Sequence, residues 1–306
     1  MKLYKPTFWE KKSLIPYLLF PFSLITSLIN QAKRKSNKTK FNIKTICIGN
    51  IYLGGTGKTS LAIEIYKILS KKFNPVFIKK KYNNQTDEIK QLFQKGNIII
   101  DKDRKNSLFL AEKKKFNIAI LDDGLQQKNI HYDLSIACFN SQDGFGNKFI
   151  IPSGPLRENI KELKEYDFIF INGEKNNQVL ERSIKNIKSK NIFKAKYKPT
   201  NLKKFNLKKK YLMFSGIGNP HEFEKTLIKH KFKVVKKIVY PDHYKFTNIE
   251  ITEIKRIAKT KNLIIITTEK DFYRLNERQK KNINFLKIKL KIQDIKKFKK
   301  KLFEKL

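Results

Sequence analysis

The stretch TICIGNIYLGGTGKTSLAIEIYKIL, Thr45 to Leu69, decides the fold. TICIG reads as a buried strand, NIYLGGTG as a loop, and KTSLAIEIYKIL as a helix with Leu61, Ile65 and Leu69 on one face. A loop that runs into a helix offers unpaired backbone N–H groups and a positive dipole end to phosphate. Gly54, Gly55 and Gly57, with Thr56 between them, let the backbone approach oxygen atoms closely. Lys58 would reach the outer phosphates, Thr59 would offer its hydroxyl to Mg²⁺, and Ser60 closes the cofactor-binding run. The usual pattern has one more glycine, five residues before Gly57, and Tyr52 stands there.

A second segment, FNIAILDDGLQ, ends a strand in carboxylates. It would bring Asp122 and Asp123 to the same sheet edge as the loop, where Mg²⁺ bridging nucleotide phosphates takes one or two carboxylates. Loop and carboxylates together indicate a nucleoside triphosphate with Mg²⁺ and leave kinase, GTPase and ATPase open. In IPSGPLREN, Arg157 and Glu158 follow a turn rich in Pro and Gly. An arginine near a transferring phosphate stabilises charge and a glutamate can add to the metal shell, although such a pair read alone is usually surface charge. In YNNQTDEIKQLF, Thr86 can cap a helix whose first turn holds Asp87 and Glu88, where negative charge is favoured. His243, in YPDHYKFT, follows Pro-Asp in a turn, a setting more often structural than catalytic.

The 306 residues suffice for two modest domains, and a hydrophobic share of 40% marks a folding chain. The formal charge of +41 suggests nucleic acid or an anionic membrane as partner. Lys, Asn and Ile are heavily used throughout, so compositional drift competes as its source. A nucleic-acid binder would want aromatic residues interleaved with basic ones on one face. The aromatics here fall mostly inside apolar runs, so no nucleic-acid partner is expected. Cys47 and Cys138 each sit in an apolar run and read as small buried hydrophobes, without a pairing framework or a zinc site.

Near the N-terminus, SLIPYLLFPFSLITSLINQA (Ser13 to Ala32) carries no charge. Lys11 and Lys12 precede it, and Lys33, Arg34, Lys35, Lys38 and Lys40 follow. A spanning helix needs ~20 consecutive apolar residues; Asn30 and Gln31 shorten this one, and Pro16 and Pro21 would interrupt its hydrogen bonds. A helix lying in the membrane interface fits better, with Trp9 and Tyr17 at headgroup depth and the lysines on an anionic surface. The alternative is a buried helix packed on the first domain.

From Thr45 to Tyr197, continuous apolar runs (TICIG, PVFI, NIII, FNIAILDDG, LSIACFN, YDFIFING) alternate with polar or helical segments. That pattern predicts a parallel sheet with helices on both faces. KYKPTNLKKFNLKKK reads as a linker, after which YLMFSGIG, a helix through NPHEFEKTLIKH, FKVVKKIVY, a helix near Glu250–Lys259 and NLIIITTEKD form a second unit, and the end of the chain has helical spacing. The expected organisation is an N-terminal membrane-interface region over residues 1–40 belonging to the first domain. A P-loop-type α/β domain then spans residues 41–197, with a smaller α/β domain over 198–306 across a cleft.

Taken in order, GNIYLGGTGKTS, TDEIKQL, LDDGLQ, PSGPLRE, SGIGNPHEFE, PDHYKFT and TTEKD resemble the tetraacyldisaccharide 4'-kinase family, the lipid A 4'-kinases. The resemblance runs from Trp9 to Asp271, and in this family the first loop glycine is commonly absent. It implies transfer of the γ-phosphate of ATP to the 4'-hydroxyl of an acylated glucosamine disaccharide 1-phosphate. It also implies a peripheral place on the cytoplasmic face of the bacterial inner membrane. By the same resemblance Lys58 and Thr59 hold phosphate and Mg²⁺, and Asp122, Asp123 and Glu158 gather near the metal. Arg157 steadies the transferring group, and Asp87 is the base with His243 paired to it across the cleft, assembled by closure. The chain departs from the family at Gln127, where a histidine commonly follows DDGLQ, and at KKKYNN, in place of RGYGG. It also has Ser153 where alanine is usual. The competing class is a P-loop ATPase or GTPase recruited to the membrane with no lipid acceptor. TEKD at Thr268–Asp271 approaches the base-reading motif of a GTPase, but it falls beyond the domain change and in the family's own order. The oligomeric state stays open.

Overall fold

The computed structural model describes residues 6–10, 13–81, 86–174 and 177–306, and of residues 86 and 87 the backbone. In chain order the strands are β1 (Lys44–Gly49), β2 (Pro75–Lys80), β3 (Ile98–Asp101), β4 (Ile118–Asp122), β5 (Leu134–Asn140), β6 (Phe168–Asn172), β7 (Ile192–Pro199), β8 (Lys210–Ser215), β9 (Lys233–Val239), β10 (Ile264–Thr268), β11 (Ile283–Leu286) and β12 (Ile288–Ile292). The helices are α1 (Ile15–Leu18), α2 (Phe20–Arg34), α3 (Lys58–Leu69), α4 (Thr86–Phe93), α5 (Arg104–Lys113), α6 (Gln178–Ile187), α7 (Pro220–Lys229), α8 (Asn248–Thr260), α9 (Glu269–Arg274), α10 (Glu277–Lys280) and α11 (Ile295–Phe303).

The strands form two sheets, ordered β12-β7-β6-β5-β1-β4-β2-β3 and β11-β10-β8-β9. From β7 to β3 every pairing is parallel, as is every pairing in the smaller sheet. In β4, β5 and β6 every residue is buried. Strand side chains alternate between faces, so burial of all of them means that both faces are covered. The chain leaves β1 through α3 for β2 and β3, returns to β1's side as β4, and crosses to its other side as β5. This reversal beside β1 leaves a crevice at the carboxyl ends of the strands, where open α/β sheets bind ligands.

The chain folds as two compact units. One holds the described residues of Lys5–Lys81, Lys95–Tyr197 and Leu290–Leu306, the other those of Tyr82–Gln94 and Lys198–Lys289. The expected division at 197/198 is therefore corrected in two places. The C-terminal helix α11 joins the larger unit because Phe298 packs edge-on among Phe168, Phe170 and Phe193, and Lys305 pairs with Asp167 at 2.6 Å. Helix α4 joins the smaller unit, where Lys90 donates to the Tyr273 carbonyl at 3.2 Å and Lys270 pairs with Glu88 at 2.9 Å.

KYKP, expected as linker, is instead the end of β7, whose Phe193, Ala195 and Pro199 are buried while the lysines between them, Lys194, Lys196 and Lys198, are half-buried or exposed. The first segment also differs from expectation. Pro16 and Pro21 sit in the first turns of α1 and α2, where a missing N–H costs nothing, and so they start helices rather than break one. Among the described residues no helix is long and apolar enough to cross a membrane. Trp9 does not stand at the surface: its ring is buried and its indole N–H donates to the Pro152 carbonyl at 3.0 Å. Tyr17 stays exposed, packing edge-on against Phe149. Cys47 and Cys138 are both buried and unbridged, and burial pushes the Cys47 thiol up to about 12.

Candidate active site

Residues 50–57 connect β1 to α3. Gly57 has φ +82°, and a Cβ there would run into the Tyr197 hydroxyl and lie 2.8 Å from the Asn172 amide. Conformation and space both demand glycine. No side chain caps α3 and no acid sits in its first turn, so its N–H groups and dipole remain for an anion. The loop's carbonyls are held by asparagine amides. Asn50 donates to Tyr52 and, at 3.3 Å, to Gly54; Asn140 donates to Gly55 at 3.4 Å and Asn172 to Thr56 at 2.6 Å.

Tyr52 is buried and bridges Leu156 in antiparallel fashion. On either side of it, the Leu53 N–H donates to Pro155 at 2.8 Å and the Arg157 N–H donates to Ile51 at 2.7 Å. The first half of the loop is thus a rung against Pro155–Arg157, without the left-handed backbone that would require glycine. This rung brings Arg157 beside the phosphate loop.

Asp122 ends β4 opposite Ile48 of β1 and is fully buried. Its Oδ2 accepts from Lys79 Nζ at 2.7 Å and from Thr59 Oγ1 at 3.0 Å. Its Oδ1 is buried with no hydrogen-bond partner among the described residues, as are Asn50 Oδ1, Thr56 Oγ1, Ser141 Oγ and Asn172 Oδ1. Folded proteins keep few such atoms. All five lie at the carboxyl ends of neighbouring strands or in the loop between them, and their chemistry fits a nucleotide with Mg²⁺.

Asp123 has φ +62°, an uncommon conformation for a residue with a Cβ. Its Oδ1 lies 3.1 Å from Arg157 Nη1 and 3.6 Å from Lys58 Nζ. The two cations expected to meet phosphate therefore converge on one carboxylate. Arg104 holds this turn, donating to the Asp123 carbonyl at 2.7 Å and to Gln127 Oε1 at 3.1 Å. Gln127 thus serves as an acceptor within the turn. The sequence does not point to Lys79 or Arg104, since nothing in it separates them from the other basic residues.

Glu158 is not gathered with the two aspartates, which corrects the expected cluster. Its Oε2 accepts from Arg34 at 2.6 Å, Tyr166 at 2.9 Å and Lys128 at 3.0 Å, and its Oε1 from Gln126 at 3.0 Å. Burial pushes its carboxyl up, but Lys128, Tyr166 and Gln126 outweigh it and hold it below the usual range. Among the described residues no three His, Cys, Asp or Glu side chains gather to hold a metal ion. Thr59 and Asp122 remain as the pair suited to Mg²⁺.

In the smaller unit, the backbone of Asp87 lies in the first turn of α4 and its side chain lies outside the described residues. The next residue, Glu88, has Oε1 3.9 Å from His243 Nε2. His243 has φ +57°, and Arg274 Nη2 lies 3.5 Å from its Nδ1. Because α4 and His243 belong to one unit, the fold of that unit alone brings the helix beside the histidine. Asp271 of TEKD is buried, accepting from the Gly216 N–H at 3.1 Å, Thr268 Oγ1 at 2.7 Å and Arg274 at 2.7 Å. Its two oxygens are committed to its own helix start and to the loop after β8 rather than presented to a base.

The family model for tetraacyldisaccharide-1-P 4'-kinase matches residues 15–97 and 85–306. The tetraacyldisaccharide 4'-kinase of Pelagibacter ubique (strain HTCC1062) is 46% identical over 309 residues, covering 99% of this chain and 98% of that one. That of Rickettsia typhi (strain ATCC VR-144 / Wilmington) is 34% identical over 295 residues, covering 90% and 91%. LpxK from Aquifex aeolicus, solved in complex with ATP, shares the fold with a TM-score of 0.71 at 24% identity, over 95% of this chain and 99% of that one. With the family model matched along nearly its whole length, the chain belongs to the tetraacyldisaccharide 4'-kinase family.

Proposed function

We propose that this chain transfers the γ-phosphate of ATP to the 4'-hydroxyl of an acylated glucosamine disaccharide 1-phosphate, giving lipid IVA, at the cytoplasmic face of the bacterial inner membrane. The observation that carries it is the convergence of Lys58 and Arg157 on Asp123 beside an uncapped helix start, in a chain of this family. A bond forms between the acceptor's 4'-oxygen and the γ-phosphorus, and the bond from that phosphorus to the β–γ bridging oxygen breaks. Lys58 and Arg157 offset the charge on the transferring group. Asp87 takes the hydroxyl proton, with His243 orienting it; this assignment rests on the resemblance of TDEIKQL and PDHYKFT to the family's motifs. Thr59 and Asp122 would hold Mg²⁺, which when bound neutralises phosphate charge.

Helices α1 and α2 supply the contact with lipid. Leu14, Leu18, Phe22, Leu24, Ile25 and Leu28 are exposed, while the polar Ser23 is buried. This inverts the usual amphipathic order, and an apolar face of that extent suits an acyl boundary. Exposed Lys33, Lys35, Lys38 and Lys40 follow it, suited to an anionic surface.

The direct test incubates purified protein with γ-labelled ATP, Mg²⁺ and a lipid A disaccharide 1-phosphate in detergent. Label in the lipid is the expected result. ATP hydrolysed with no label in the lipid would favour a membrane-recruited ATPase. For the base, Asp87→Ala should cut turnover far more than ATP affinity, and equal loss of both would count against that role.

A further inference from the structure

We infer that Ser23, Asn30 and Arg34, on the inward side of α2, are positioning residues for the segment Ser153–Glu158, so that the helix facing lipid also sets Arg157 at the phosphate loop. This rests on the kinase function and lipid-facing helix proposed above. The three residues recur at helical spacing on one face.

Each is bonded to a different point of that segment or of the chain just before it. The Ser23 hydroxyl donates to the Ile150 carbonyl at 2.8 Å, pairs with Ser153 Oγ at 2.7 Å and accepts from the Ser153 N–H at 3.2 Å. Asn30 Nδ2 donates to the Arg157 carbonyl at 2.7 Å. Arg34 pairs with Glu158 at 2.6 Å and, through its other terminal nitrogen, with Glu162.

Arg157 is therefore held on both sides of its backbone. Its N–H goes to Ile51 beside the phosphate loop and its carbonyl to Asn30 of α2. Its guanidinium is left to meet Asp123 and Gln126, at 3.1 Å and 3.0 Å. Packing alone does not call for this polarity, since replacing a buried ion pair by well-packed apolar groups of like volume is often neutral or stabilising. The inward polar side of α2 serves position instead, and a shift of a reacting group by ~1 Å costs on the order of a hundredfold in rate.

The test uses the full chain, γ-labelled ATP and the lipid acceptor in detergent, with Arg34→Met, Arg34→Lys and Asn30→Ala. Arg256→Met, on the exposed side of α8, controls for lost charge. The wild type is measured first: if it fails to label the lipid, the kinase function is refuted before any variant is read. Given a working wild type, Arg34→Met is expected to lower kcat on the order of tenfold to a hundredfold. KM for ATP and sedimentation with phosphatidylglycerol-containing vesicles should hold in every variant, and the melting temperature should hold in Asn30→Ala. Arg34→Met should lose some melting temperature, because it takes one cation from the buried Glu158, which keeps Lys128, Tyr166 and Gln126. Asn30→Ala should fall in the same direction, and Arg34→Lys should recover only part, because an ammonium does not bridge two carboxylates as a guanidinium does. Full kcat in both Arg34→Met and Asn30→Ala overturns the inference. So does a fall in kcat that tracks lost vesicle binding or lost melting temperature across the variants. If Arg34→Met does not fold, Asn30→Ala decides by the same readouts.

Discussion

Two strand–glycine loop–helix passages in this chain look alike in sequence and differ in what they leave open. In the larger unit, β1 runs through GNIYLGGTG into α3; in the smaller, β8 runs through SGIGNP into α7. Helix α7 is closed by its own chain: the Asn219 side chain accepts from the Glu222 N–H at 3.1 Å, and Glu222 already puts a negative charge in the first turn. Helix α3 starts at a left-handed Gly57 with neither. The carboxylates differ in the same way. Asp271 has partners on both oxygens, whereas Asp122 keeps a buried Oδ1 without one among the described residues. Ser215 Oγ and Asn219 Nδ2 near the second loop also lack partners there, but neither is a carboxylate. Glycines make a tight loop possible; the helix cap decides whether the loop is left to an anion.

The contrast breaks most sharply at Lys58. Lys58→Met should lower turnover by about a thousandfold, the upper range for removing one charge-stabilising group, while the melting temperature holds. A residual activity near that of the wild type would mean that α3 does not receive the transferring phosphate. Lys79 probes the carboxylate behind it. Lys79→Met leaves Asp122 buried without this cation, and breaking such a pair costs about 3–5 kcal/mol, read from urea unfolding. The double variant with Asp122→Asn should regain much of that loss, since the uncompensated charge is then gone.

The larger sheet is legible in the sequence because its central strands are covered on both faces, and unbroken apolar runs report that directly. The phosphate loop is legible because its glycines and Lys58-Thr59 lie together in sequence. The end of β7 reads as linker because its apolar residues alternate with lysines, and a lysine stem can lie along a sheet while its charge stays in water. Prolines 16 and 21 mislead because a proline's effect depends on where the helix starts, which propensity alone does not fix. Lys79, Arg104 and Lys128 are invisible for a different reason. Their partners lie 19 to 43 residues away, and each is one among 68 basic side chains. Glu158 stands out by motif, but its surrounding donors are contacts across the fold, and these decide against the expected carboxylate cluster.

Asp167 extends the comparison to a carboxylate spent wholly on folding. Its Oδ2 accepts from the Ser135 N–H and hydroxyl at 2.9 and 2.8 Å, and its Oδ1 pairs with Lys305 beyond α11 at 2.6 Å. Burial pushes the carboxyl up, but Lys305 and Ser135 hold it below the usual range. A carboxyl lowered on folding contributes stability that is complete above its unfolded value and is lost as pH falls through its folded value. Stability should therefore decline below about pH 4, the ordinary carboxylate range. Asp167→Asn should lower stability at neutral pH and flatten that decline, as measured by urea midpoints across pH. An unchanged acid slope would show that Asp167 does not fasten the C-terminal helix.

The smallest effect is expected at the cap itself. Asn219→Ala removes the side chain that closes α7, and loss of such a cap costs about 1 kcal/mol. Glu222 stays in the first turn and continues to repel anions, so the change should reach stability without creating a phosphate site. Urea unfolding and labelled-ATP binding separate the two outcomes. A variant that binds a second nucleotide would mean that the cap alone kept the second loop closed. A stability loss with nucleotide binding unchanged would mean that the charge in the first turn shares that task.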